Sequence, residues 1–147
     1  MHIFFILNPE FDSGTANWNQ YVQAGYTSSF TIDNTSQLSG VNSALINITA
    51  APVTKISWGV QLVQLNTALV VGQEYVISFR AKADKNRTVS VAMQESVSPW
   101  TSYFYQSIDL TTTATTYGEF SFIAGATDPN AQLIFNLGDT TGMVYID

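Results

Sequence analysis

The sequence predicts an all-β fold, an antiparallel β-sandwich of about ten strands. Three observations carry that expectation. Apolar and polar residues alternate with period two in several stretches, and turn-forming clusters separate those stretches at short intervals. No segment shows the helical period of an amphipathic helix.

The elements follow in chain order. Strands are expected at 19–24 and 27–33 after DSG at 12–14, and at 43–49 after LSG at 38–40. The next, 57–65, contains WGVQLVQ, whose parity is ambiguous. With Val60 and Leu62 inward, Gln61 points outward, and Trp58 joins it only through a bulge near Gly59. Beyond VGQ at 71–73, YVISFRAKA (75–83) sets Tyr75, Ile77, Phe79 and Ala81 on one face and Val76, Ser78, Arg80 and Lys82 on the other. After ADKN, segment 89–94 turns Val89, Val91 and Met93 inward and Ser90, Ala92 and Gln94 outward. Segment 103–109 is expected to bury Phe104 and to leave Tyr103 and Tyr105 on the outer face. TTTATT (111–116) reads as a strand edge or loop, followed by a strand at 117–123. After DPN, QLIFNLG opposes Leu133, Phe135 and Leu137 to Gln132, Ile134 and Asn136, and beyond GDTTG a last strand covers 143–147.

Composition bounds the function. One domain over 1–147 is expected, with no internal repeat, and a chain of this length buries about two-thirds of its unfolded surface. Charged residues make up 11%, about half the usual share. The polar surface therefore rests on neutral groups: 17 Thr, 14 Ser, 10 Asn and 9 Gln. A net charge of −6 with only five Lys and Arg argues against nucleic acid, since phosphate contacts need clustered cations. No apolar run is long enough to span a membrane, so no membrane partner is expected. The chain has no cysteine, hence no disulfide and no thiolate chemistry. HIFFIL is too short and too uncharged for a secretory leader, and the chain stops abruptly at YID. A module excised from a larger protein is the expectation.

Catalysis finds little support. His2 is the only histidine and lies at the very start, so a Ser-His-Asp arrangement has no base. Zinc clusters and phosphate-cradling glycine loops are absent. Asp33, Asp84, Asp128 and Asp139 fall in or beside expected turns, where Asp bends the chain for structural reasons. Glu74, Glu95, Asp109 and Glu119 fall at strand ends or on outer faces. No spacing points to a carboxylate pair sharing a pocket. The sequons at Asn34, Asn47 and Asn86 are what chance produces in a chain so rich in Asn and Thr.

Hydroxyls, amides and aromatics suit a neutral hydroxylated ligand. Sugar rings offer polarised C–H faces, which aromatic rings cover, and hydroxyl edges, which planar amides meet. Gln94, Gln132 and Asn136 fall on the face opposite the core, and WGVQLVQ supplies Trp58 and Gln61. Trp100, following Pro99 in a polar loop, is the aromatic best placed as a sugar platform.

The opening NPEFDSGTANWNQY resembles the start of the carbohydrate-binding module superfamily that groups families 4, 9, 16 and 22. SALINIT, WGVQLVQ, LVVGQEYVISFRAKAD, the PW at 99–100, AQLIFNLG and VYID follow in that superfamily's order, so the resemblance spans essentially the whole chain. It is closest to family 4, with family 16 a near rival. The resemblance implies a noncatalytic β-jelly roll, attached to a secreted glycoside hydrolase, that holds single polysaccharide chains in a groove on its concave sheet. By position, Tyr21 and Trp100 match the two aromatics that grip the sugar chain, and Trp58 a further groove aromatic. Gln132 and Asn136 match paired hydrogen-bonding amides, with Gln94 and Gln61 as companions, whereas Trp18 matches a core tryptophan. Glu10 and Asp147, with carbonyls near Ser43, match the positions that contribute to a structural calcium. The chain departs from the family where Ser90, Ala92 and Gln94 occupy the strand that often carries a groove arginine.

The resulting expectation is a monomeric, extracellular module that binds β-1,4-glucan, cello-oligosaccharides or mixed-linkage β-glucan and targets a covalently linked glycoside hydrolase. Xylan or mannan binding on the same scaffold, or a structural or adhesive sandwich without a sugar ligand, are the alternatives.

Overall fold

The computed structural model describes residues 6–38 and 40–147; His2 lies outside them. Among the described residues, ten strands form two five-stranded antiparallel sheets. The strands are β1 (Asn19–Val22), β2 (Thr27–Asp33), β3 (Ser43–Ala50), β4 (Val60–Gln64), β5 (Glu74–Ala83), β6 (Arg87–Gln94), β7 (Ser102–Leu110), β8 (Thr115–Ile123), β9 (Gln132–Asn136) and β10 (Gly142–Ile146). One sheet has the order β1-β4-β9-β6-β7 and the other β2-β3-β10-β5-β8. The chain passes repeatedly from one sheet to the other, so the sandwich closes around a single principal core.

The period-two alternation becomes this core directly. Tyr75, Ile77, Phe79 and Ala81 of β5 are buried, as are Val89, Val91 and Met93 of β6 and Leu133 and Phe135 of β9. Phe79 meets Phe135 edge to face across the two sheets, with ring centroids 5.0 Å apart. Trp18 belongs to the same core: its ring lies 5.2 Å from that of Phe11, and its Nε1 donates to the Asn8 carbonyl at 3.0 Å.

Two segments depart from the expected alternation. The strand expected over 57–65 begins instead with a 3₁₀ turn, Ser57–Gly59, and turns extended at Val60. In β7, Met93 pairs with Phe104 but Gln94 with Ser102, so the register shifts by one residue at Tyr103. That bulge rolls Tyr103 off the outer face expected for it. It is half-buried against the core, and its hydroxyl donates to Asp128 Oδ2 at 2.9 Å. Tyr105, past the bulge, keeps its outward position.

The turn between β9 and β10 is clamped from inside. The buried guanidinium of Arg87 donates from Nη2 to the carbonyls of Leu137 (2.6 Å) and Thr140 (2.8 Å). Burial lowers its pKa while Asp84 and Asp139 oppose the shift. Among the described residues, no helix is long and apolar enough to cross a membrane.

Candidate functional site

The outer face of the β1-β4-β9-β6-β7 sheet carries a groove of about 750 Å³, a size suited to a small-molecule or oligomeric ligand. Strand register orders its floor into three rungs roughly 7 Å apart. The first runs Tyr21, Gln61, Asn136, Ser90, Ser107 across all five strands. The second runs Asn19, Val63, Ile134, Ala92, Tyr105. The third joins Gln132, Gln94 and Ser102. An apolar strip therefore lies between two polar ones. Val63, Ile134 and Ala92 are buried and pack together as a small cluster separate from the sandwich core.

The polar rungs are pre-organised. Gln61 Nε2 donates to Asn136 Oδ1 at 2.9 Å, and Asn136 Nδ2 donates to Ser90 Oγ at 3.0 Å. Gln132 Nε2 makes a longer bond to the Glu95 carbonyl, at 3.4 Å. Gln132 and Asn136 do lie opposite the core, but each is only 8% exposed. They are floor groups sunk between neighbouring side chains rather than solvated surface amides. Gln94 and Gln61 are half-buried beside them.

Four aromatics rise from this floor: Tyr21 (43% exposed), Trp58 (47%), Trp100 (52%) and Tyr105 (61%). Trp58 stands beyond the first rung and Trp100 beyond the third, at opposite ends of the strands. The 3₁₀ turn, rather than a bulge, brings Trp58 to the groove. Gly59 is required there for a steric reason: a Cβ at this position would lie 2.2 Å from Cε2 of Tyr26. Trp100 sits in the β6–β7 loop with φ of 61°, a left-handed conformation that costs a non-glycine residue on the order of 1–2 kcal/mol. Hydrogen bonds hold it: Trp100 N to Val97 O at 2.8 Å, Glu95 N to Thr101 O at 2.9 Å, and Thr101 N to Glu95 Oε2 at 3.1 Å. Tyr21 donates its hydroxyl to Gln23 Oε1, which holds the ring at the β1 edge.

All seven residues expected to bind sugar, Tyr21, Trp58, Gln61, Gln94, Trp100, Gln132 and Asn136, line this one groove. Sequence reasoning missed Tyr105, Ser90, Asn19 and the Val63–Ile134–Ala92 strip. Parity had already turned Tyr105, Ser90 and Ala92 outward; only strand order places Ser90 and Ala92 beside Asn136 and Ile134 of β9, and Tyr105 one strand further on, beside Ala92. Among the described residues lining the groove there is no Asp, Glu, Lys, Arg or His. The wall is electrically neutral.

Glu10, Ser43 and Asp147 gather elsewhere, where β3 begins and β10 ends. The Asp147 charge is the main cause that raises the Glu10 pKa, followed by burial, a hydrogen bond with Asp147 and the charge of Asp12. Ser43 precedes Ala44, the partner of Ile146, and its buried Oγ has no hydrogen-bond partner among the described residues. Gly40 abuts both carboxylates: a Cβ there would lie 3.4 Å from Glu10 Oε2 and 3.6 Å from Asp147 Oδ2. The Asn42 carbonyl lies 3.8 Å from the same point. Among the described residues no three acidic, histidine or cysteine side chains form a metal cluster, so neutral oxygens such as the Ser43 hydroxyl and nearby carbonyls would have to complete any coordination shell. An all-oxygen set of carboxylates and carbonyls fits calcium.

A family model described as a carbohydrate binding domain matches residues 5–142. No curated protein matches the chain. A solved CBM4 structure is 29% identical, with 97% of this chain and 96% of that one covered and a TM-score of 0.81. The N-terminal cellulose-binding domain of Cellulomonas fimi β-1,4-glucanase C is 22% identical over 92% of this chain and 87% of that one, with a TM-score of 0.62. A Clostridium thermocellum xylanase 10B structure, its CBM22-1 and GH10 modules complexed with xylohexaose, is 14% identical with a TM-score of 0.67. It covers 95% of this chain and 26% of its own.

Proposed function

The chain belongs to the carbohydrate binding domain family, and from that premise we propose that its groove holds a single chain of a neutral β-linked polysaccharide. β-1,4-Glucan and mixed-linkage β-glucan are the proposed ligands. The rung order carries this reading: an apolar strip (Val63, Ile134, Ala92) bordered on both sides by amides and hydroxyls. A pyranose whose hydroxyls are all equatorial has that same pattern, with C–H groups on its faces and polar groups around its rim. Its face lies on the strip or against Tyr21, Trp58, Trp100 and Tyr105. Its rim meets Gln61, Asn136 and Ser90 on one side and Gln132, Gln94 and Ser102 on the other. The cellulose-binding Cellulomonas domain is consistent with this choice of backbone. An axial hydroxyl, as in mannan, would press a polar group onto the apolar strip, at the cost of burying it without a partner.

The module's part is recognition. The described residues lining its groove include no Asp, Glu, His, Lys or Arg, and the proposed role is to keep an attached glycoside hydrolase at its substrate outside the cell. The module acts as a monomer. Affinity is expected in the micromolar range, because sugar hydroxyls exchange water for protein partners with little net gain. Glu10 and Asp147, with the Ser43 hydroxyl and nearby carbonyls, would hold a structural calcium that relieves their mutual repulsion; the raised Glu10 pKa and the orphaned Ser43 Oγ support this.

Affinity electrophoresis in hydroxyethylcellulose tests the assignment. The protein should be retarded, and Trp100→Ala should abolish most of the retardation while leaving the circular dichroism spectrum intact. Equal mobility of the two proteins in gels with and without polysaccharide would overturn it.

A further inference from the structure

We propose that Tyr26 is a positioning residue that sets the ligand-facing orientation of Trp58. The proposal rests on the reading of the groove as a sugar site and adds to it a residue that touches no ligand. Tyr26 is buried just before β2, yet its ring lies directly beneath the 3₁₀ turn that carries Trp58. The contact is close enough that only glycine fits at position 59, where a Cβ would overlap Cε2, Cζ and the hydroxyl oxygen of the ring at 2.2, 2.5 and 2.8 Å.

The hydroxyl of Tyr26 completes the support. It accepts from Ile56 N at 2.9 Å and donates to the Gly138 carbonyl at 2.8 Å, with the Ile56 carbonyl a more distant acceptor at 3.1 Å. One lone pair and the single proton thus join the residue before the turn to the segment after β9. The same two segments are sewn together again by Gly138 N to Ser57 O at 2.8 Å, while Gln23 N donates to Gly59 O at 2.8 Å. Gly138 is as constrained as Gly59, since a Cβ there would lie 2.2 Å from Ile56 O. Ser57 and Gly59, the two neighbours of Trp58, are therefore both anchored, and Tyr26 is the post beneath them. An exposed indole on a short turn would otherwise sample several orientations, and ordering it on binding would cost affinity.

Tyr26→Phe keeps the ring and removes the hydroxyl, leaving Ile56 N and Gly138 O without their partner. Three readouts decide the matter in ¹⁵N-labelled protein titrated with cellohexaose. The Trp58 indole N–H should lose order on the nanosecond timescale in the free variant. Affinity should fall roughly fivefold to tenfold. That loss should vanish when Trp58→Ala is already present, because no indole remains to be positioned. Gly59→Ala, which forces ring and turn apart while keeping the hydroxyl, should reproduce all three and serves if Tyr26→Phe does not fold. An equally ordered Trp58 indole, or an equal loss of affinity in the Trp58→Ala background, would overturn the proposal. If the wild-type protein binds no cellohexaose, the sugar-site reading fails, and the indole signal of free Tyr26→Phe alone decides the positioning role.

Discussion

Gln61 and Asn136 sit opposite one another on β4 and β9, and the amide of one donates to the amide oxygen of the other at 2.9 Å. Asn136 passes the chain on to Ser90 at 3.0 Å, so one rung of the groove is a hydrogen-bonded wire before any ligand arrives. Pre-forming it avoids part of the ordering cost that binding would otherwise carry. It also fixes which donors and acceptors remain to meet a hydroxyl.

Removing the middle of that wire is expected to hurt twice. Asn136→Ala leaves Gln61 Nε2 and the buried Ser90 Oγ without their partner, a loss of about 1–2 kcal/mol in stability. It should also weaken cellohexaose binding by about tenfold, the equivalent of about 1.4 kcal/mol. Isothermal titration and urea unfolding measure the two effects separately. Unchanged affinity in a folded variant would show that this rung does not read the ligand.

Binding should be indifferent to salt. The described residues lining the groove carry no charge, so screening has nothing to act on even though the chain bears −6 overall. Between about 0.05 and 1 M NaCl, over which the Debye length falls from more than about 10 Å to about 3 Å, Kd should change by less than about twofold. A steep fall in affinity with salt would mean that charged groups outside this groove take part.

Calcium should stabilise the fold without touching the groove. If Glu10 and Asp147 share the ion, calcium at about a hundredfold above its Kd adds about 2.7 kcal/mol, roughly 5–10 °C in Tm. Glu10→Gln should abolish that increment and leave cellohexaose affinity unchanged. A Tm indifferent to both calcium and chelator would show that these carboxylates hold no metal.

Tyr103 supplies a test at alkaline pH. Burial, then its hydrogen bond to Asp128 and the nearby carboxylate charges, push its pKa from 10.0 up to about 12. The folded state therefore holds the phenolic proton more tightly than the unfolded chain does. Its contribution to stability is complete below pH 10 and is lost as pH rises toward about 12. Over that interval the urea midpoint of the wild-type protein should fall more than that of Tyr103→Phe. Parallel falls would show that Tyr103 contributes nothing to the pH dependence.

Much of this architecture was readable from alternation alone, and the reasons for the exceptions are local. In β5, β6 and β9 each residue sees either the core or the outer face, so parity assigned Phe79, Val91, Gln132 and Asn136 correctly. Trp58 defied parity because a 3₁₀ turn has no two-residue period. The glycine that permits this turn answers to Tyr26, thirty-three positions earlier in the chain. Tyr103 was misplaced by a bulge whose only sign is the pairing of Gln94 with Ser102. The depth of Gln132 and Asn136, and the company of Tyr105 and Ala92, depend on β9 lying between β4 and β6. Strand order is a long-range property that composition and spacing do not carry.

The central claim is that a neutral groove, walled by aromatics and floored by an apolar strip between polar rungs, holds a β-linked glucan chain. Tryptophan fluorescence titrated with cellohexaose, xylohexaose, mannohexaose and laminarihexaose tests it most directly, because Trp58 and Trp100 both line the groove and are half-exposed. The expected result is a saturable spectral change with cellohexaose at micromolar concentration, a weaker response to mannohexaose, and loss of most of the change in Trp100→Ala. A flat titration with all four sugars would contradict it.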